Sequence, residues 1–178
     1  MGLLDGLKRL GGRGTSSQSE DFILLSLGNV SSALVKHLSA DYYRWKEPKE
    51  IKTFECLILA KFLADYSLDR TYRGKLPQSE LNRYQSAIDG RFRWLLENTF
   101  QGRFTYDRVQ DTVANRLDLY RQVMADNSHP VCWQILASVV TGVDYPAEKD
   151  LSTLASSSVA LPALLMLTQD ALKLAVGR

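Results

Sequence analysis

From residue 51 to residue 66 the chain repeats an apolar side chain once per helical turn. Ile51, Phe54, Ile58, Phe62 and Tyr66 stand at steps of 3, 4, 4 and 4. Leu57, Leu59, Ala60, Leu63 and Ala64 widen that stripe around most of the circumference. A helix that is apolar on nearly every side has to lie inside a bundle, since any other placement leaves many large side chains in water. This segment therefore constrains the whole fold, because the rest of the chain must supply enough helices to cover it.

The flanks supply them. Glu47-Pro48 is a boundary: the residue before proline is pushed out of the helical region, and Pro48 itself suits a first helical turn. Ahead of it, Ile23, Leu27, Val30, Leu34 and Leu38 follow steps of 3 and 4. The spacing predicts a helix that runs to about Asp41, with YYRW at 42–45 closing it and Ser17 and Glu20 forming a capping box at its start. RGKL at 73–76 reads as a turn. Pro77 then opens a third helix, with Leu81, Tyr84, Ile88, Phe92 and Leu95 on one face and a break at Gln101-Gly102. Tyr106, Val109, Val113, Leu117, Tyr120 and Met124 line a fourth helix. After DNSHP at 126–130, PVCWQILASVV reads as a short buried helix that ends at Thr141-Gly142. A Ser-rich segment with room for a short helix follows, and the last helix is expected from about Pro162 to Ala175. No run alternates with period 2, and no repeat recurs at a fixed period.

The expected fold is thus all-α: a single irregular helical bundle of about six helices over residues 20–178. Residues 11–19, GGRGTSSQS, read as a flexible Gly/Ser linker, and residues 1–10 as a separate amphipathic peptide. The chain of 178 residues, 45% hydrophobic and 24% charged, is long enough for one sizeable core and well away from disordered compositions.

Net charge is +2, which excludes a polycationic nucleic-acid binder. The charge is uneven, near zero over residues 1–69, about +4 over 70–108 and about −2 over 109–178. Cys56 and Cys132 each sit in an apolar run and read as small buried hydrophobes, which points to a reducing, cytoplasmic setting. No secretory signal is visible, and the nearest candidate for a membrane span, VALPALLML at 159–167, is half the needed length.

The polar residues form no recognised reactive constellation. The two histidines, His37 and His129, stand in no Glu-x-x-His or C-x-x-C context. His129 and Cys132 are three apart, but a closed zinc site needs two further ligands. His37 and Asp41 are one turn apart and could poise an imidazole, yet no G-x-S-x-G accompanies them. Asp65 with Asp69, and Asp107 with Asp111, read as solvated helix faces. No phosphate-cradling glycine loop occurs, so no cofactor, metal or catalytic residue is assigned.

Two stretches point to binding. In GRFRWLLENTFQGRFTYDR, residues 90–108, Arg91, Arg93, Arg103 and Arg108 interleave with Phe92, Trp94, Phe100, Phe104 and Tyr106. Arginine beside aromatic rings suits an acidic partner or single-stranded nucleic acid. In MGLLDGLKRL, at about 100° per residue, Leu3, Leu7 and Leu10 fall within about 60° of one another, with Leu4 on the flank and Lys8 and Arg9 turned away. A helix this short orders only against a surface: its own domain, the groove of a partner or, weakly, an anionic membrane.

The functional expectation is a non-enzymatic interaction protein of adaptor or scaffold type. Its partner-binding residues would be Leu3, Leu4, Leu7, Leu10, Arg91, Arg93, Trp94 and Arg103, and the segment around Leu161, Leu164 and Leu165 would serve either as a homo-oligomer interface or as core. Two alternatives stand beside it. One is nucleic-acid binding through residues 90–108. The other is a small-molecule or enzyme pocket between helices, near His37 and Asp41 or near His129 and Trp133.

Overall fold

The computed structural model describes residues 15–40, 45–126, 131–142 and 151–177. Among these there are six helices and no strand: α1 (Thr15–Leu38), α2 (Lys49–Tyr72), α3 (Gln78–Thr99), α4 (Tyr106–Asp126), α5 (Val131–Thr141) and α6 (Leu151–Val176). The helices form a bundle, the all-α class expected.

α2 is the axis of the bundle and packs against each of the other five helices. Its buried set runs without interruption from Phe54 to Ala64, as its all-round apolarity demands. α1 covers α2 on one side and also touches α3 and α6. The five α1 residues picked out by helical spacing, Ile23, Leu27, Val30, Leu34 and Leu38, are all core. At roughly 1.5–3 kcal/mol for each fully buried aliphatic side chain, that one stripe is a major part of what holds α1 in place.

Where the helices end follows from local chemistry. α3 closes at Gln101-Gly102 with both residues at positive φ, and the Gly102 N–H donates to Glu97 O at 3.0 Å. Glycine takes that left-handed conformation without strain, which makes it the usual helix stop. The turn is sealed by an aromatic cluster: Phe104 stacks on Phe54 with ring centroids 5.3 Å apart, and Phe100 meets Phe104 edge-on at 4.7 Å.

Three boundaries differ from the sequence expectation. α1 begins at Thr15, so residues 15–19 of the expected linker are helical. Glu20 turns away from any capping role to pair with Arg91, and the Ser19 hydroxyl donates to Ala175 O on α6 at 2.7 Å. α1 also stops at Leu38 rather than near Asp41, since only a turn follows, with the Ala40 N–H on His37 O. The largest difference is α6, one helix of 26 residues with Pro162 inside it rather than at its start. Proline removes one backbone hydrogen bond from a helix interior. Here the helix is held on both sides of it: Leu161, Leu164 and Leu165 are buried, and Gln134 Nε2 of α5 donates to Ser158 Oγ at 3.0 Å. Those three leucines are therefore core. Continuity across Pro162 also makes Ser158–Val176 long and apolar enough, by length and composition, to cross a membrane, although a third of it is buried in the bundle.

Two charged groups are built into the interior. Lys61 of α2 is 4% exposed and holds Asp65 at 2.7 Å and Asp89 of α3 at 2.6 Å, while Gln85 Nε2 donates to Asp65. Asp65 is thus part of the α2–α3 interface, not of a solvated face, because Lys61 makes its burial tolerable; Asp69 is the exposed one and pairs with Arg73. Glu55 of α2 accepts from Arg116 Nη2 at 3.1 Å and from the Tyr120 hydroxyl at 3.4 Å, both on α4. Burial, and then the Glu55 charge, hold the Tyr120 phenol well above its ordinary pKa.

Candidate functional site

An open groove of about 850 Å³ lies where the first turns of α1, the middle of α3 and the last turn of α6 meet. Each wall has a sequence reason. On α3, Arg83, Ala87, Gly90 and Trp94 stand at helical spacing and share a face, while Ile88 and Phe92 turn into the core. α1 contributes Gln18, Ser19 and Glu20 at the rim, with Phe22 and Ile23 deeper. α6 contributes Leu174 to Val176 and the closing residue Gly177.

The walls are tied together by polar bonds. Ser19 joins α1 to α6 through the Ala175 carbonyl. Arg91 joins α3 to α1, with Nη2 at 2.6 Å from Glu20 Oε2. Arg83 donates to the Tyr84 hydroxyl at 2.9 Å and, among the described residues, has no carboxylate against it. Ala87 and Gly90 present little side chain to the groove on the α3 side. Two large side chains stand open at its sides, Trp94 at 47% exposure and Leu174 at 63%.

Leu174 also ends an apolar ridge along the outer face of α6. Val159, Met166 and Leu167 are exposed to a similar degree and lie on the same face, interrupted by the Asp170–Lys173 pair. Scattered exposed apolar side chains of this kind are ordinary on a protein surface.

Of the residues singled out in the sequence, Arg91 and Trp94 come together in this groove. Arg93 does not, because its guanidinium lies 4.0 Å from the centre of the Tyr106 ring. Arg103 sits at the turn after α3, with its Nε 3.5 Å from Phe100 O. The rings of residues 90–108 are mostly spent on packing: Phe92 and Phe100 are fully buried and Phe104 packs on the core, which leaves Trp94 as the open one. Leu3, Leu4, Leu7 and Leu10 lie outside the described residues, as do Asp41 and His129.

Burial also sets the state of the other titratable candidates. Burial pushes the His37 imidazole below the usual histidine range. Trp133 is 1% exposed. Cys56 and Cys132 are free and buried, and burial pushes both thiols up, away from the reactive thiolate. Among the described residues no three His, Cys, Asp or Glu side chains gather where they could hold a metal ion.

Sequence reasoning missed the α1 and α6 walls. A signal for Leu174 was present: α6 is apolar on two faces, and only one of them can be core.

No protein-family model matches this chain, and no curated protein or solved structure matches it either.

Proposed function

We propose that this protein is a cytoplasmic, non-enzymatic interaction module that binds an amphipathic helix of a protein partner in the groove between α1, α3 and α6. One observation carries the reading: Trp94 and Leu174, both large and open, line one groove between three helices together with the small residues Ala87 and Gly90. A helix laid there would bury one apolar face against Ala87 and Gly90 and gain two anchors at the sides, the helix-in-groove mode of recognition. Tryptophan is the residue most often found to dominate such contacts. The rim charges Arg83, Arg91 and Glu20 would orient the incoming helix, and the two free buried thiols suit a reducing compartment.

The test compares variants of the full chain for capture of a partner from native lysate. Trp94→Ala should lower affinity roughly thirtyfold or more, as truncation of an interface tryptophan does, and Leu174→Glu should do the same. Arg121→Ala, on an exposed part of α4, should change nothing. Equal capture by Trp94→Ala, Leu174→Glu and the unaltered chain would remove the groove as the docking site.

A further inference from the structure

We propose that the helix taken up by the groove is an acidic one, which sets a glutamate or aspartate against Arg83 and an apolar side chain against Trp94. The inference rests on the reading of the groove as a helix-docking site and names the chemistry of its partner.

The charged groups that line the groove decide the sign. They are Glu20, Arg83 and Arg91. Glu20 and Arg91 are matched to each other at 2.6 Å across the α1–α3 boundary. What remains is the charge of Arg83, which is exposed. Its polar contact is with a neutral phenol, and among the described residues no carboxylate pairs with it, Glu80 three positions earlier on α3 included. A basic helix would meet that charge unfavourably and would find Glu20 already engaged. An acidic helix gains a partner for Arg83 and disturbs neither member of the Glu20–Arg91 pair.

Arg83 is also held ready. Its Nη2 donates to the Tyr84 hydroxyl at 2.9 Å, and its guanidinium lies 4.8 Å from the centre of that ring. Tyr84 is itself core, at 4% exposure. A guanidinium carries several N–H donors in a rigid fork, so the bond to Tyr84 leaves others for a carboxylate. A side chain already ordered loses less freedom when it pairs.

Position supplies the spacing. Arg83, Ala87, Gly90 and Trp94 follow one another along one face of α3 at steps of 4, 3 and 4. At about 1.5 Å per residue, Arg83 and Trp94 are about 16 Å apart along the helix axis. A partner helix laid along α3 therefore carries its acid about three turns from the residue that packs on Trp94, with larger apolar residues between them over Ala87 and Gly90. One unmatched cation also sets this partner apart from a nucleic-acid strand, which calls for a row of cations along its phosphates.

Selection from a displayed peptide library tests this, with the full chain as bait at low salt. Each member is an amphipathic helix of about four turns with a fixed leucine stripe, its flanking positions drawn from Glu, Gln and Lys. The unaltered chain should enrich Glu at one flanking position, and Arg83→Glu should enrich Lys at that same position. Arg83→Gln, which keeps the reach and removes the charge, should enrich neither sign. An enriched Glu peptide should lose about tenfold in affinity for Arg83→Glu, since an exposed pair contributes up to about fivefold and reversal adds repulsion, and it should recover when that Glu becomes Lys. Equal enrichment of Glu, Gln and Lys, or enrichment of Lys by the unaltered chain, would overturn the acidic partner. If Trp94→Ala abolished binding in that case, the groove would still stand as a helix site, so the two readings fail separately. Peptide binding indifferent to Trp94→Ala, or no binder from the library, would overturn both. Self-association of the unaltered chain that Trp94→Ala abolishes and Arg83→Glu leaves alone would overturn the proposal in favour of a second copy.

Discussion

The Ser19 hydroxyl and the Ala175 carbonyl meet at 2.7 Å, joining the second turn of α1 to the last turn of α6 across 156 positions of sequence. Ala175 is among the final residues of α6, where carbonyls lack a partner within the helix. The serine therefore serves as a remote cap for α6. Ser19→Ala should lower stability by about 1 kcal/mol, measured as a shift in denaturation midpoint at unchanged slope. No shift would mean that water replaces the serine without loss.

Lys61 is the residue on which the α2–α3 interface depends. Burial works against its charge, but Asp65 and Asp89 more than offset that and hold its pKa above the ordinary lysine value. The stabilisation it supplies is complete below about pH 10 and is lost as pH rises through the raised value. Asp65 is raised too, first by burial and then by Asp89, with Lys61 opposing. Its protonated form is favoured by the fold, so that contribution is present at acid pH and lost as pH rises past the carboxylate range. Lys61→Met leaves Asp65 buried beside Asp89 and should cost about 3–5 kcal/mol at neutral pH. Melting curves at pH 4 and pH 7 check the sign: the deficit of the variant should shrink at pH 4, where the raised Asp65 carboxyl more readily takes up a proton.

Ser67 presents the opposite case. Its Oγ is the one buried side-chain oxygen or nitrogen without a hydrogen-bond partner among the described residues. Removing an unsatisfied buried group stabilises, so Ser67→Ala should raise stability by up to about 1 kcal/mol. A loss of that size would instead reveal a bridging water at this position.

Gly90→Ala tests helix propensity on the wall of the groove. A Cβ built at Gly90 meets nothing within 4 Å, so the substitution should stabilise the protein by about 0.8–1 kcal/mol, the usual difference between the two residues in a helix interior, read by thermal melts.

Helix faces were legible because burial repeats with the turn of the helix. The stripe of α1 could be read residue by residue and that of α2 at Phe54, Ile58 and Phe62, with Ile51 and Tyr66 only half-buried at its ends, and Gln101-Gly102 announced the end of α3. Trp94 could also be read as outward: it is two residues from Phe92, about 200° around the helix, and Phe92 belonged to the core stripe. Lys61 was not legible as core, since a lysine inside an apolar run signals burial only once Asp65 and Asp89 are seen to meet it. Pro162 misled for the same reason. Alone it marks a helix start, and only the packing of Leu161 and Leu164 on either side shows that the helix runs through. The groove was the least legible feature, because it joins residues near 20, 90 and 175, and no local pattern records which helix ends converge.

That convergence has a practical side. Thr15 leads into one wall of the groove and Gly177 closes another, so a fluorescent protein, epitope or affinity handle joined directly ahead of Thr15 or directly after Gly177 would be delivered to the mouth of the same site. Reporter fusions to this domain are best placed within the exposed α3–α4 turn at Gln101-Gly102, after α3 has passed the groove.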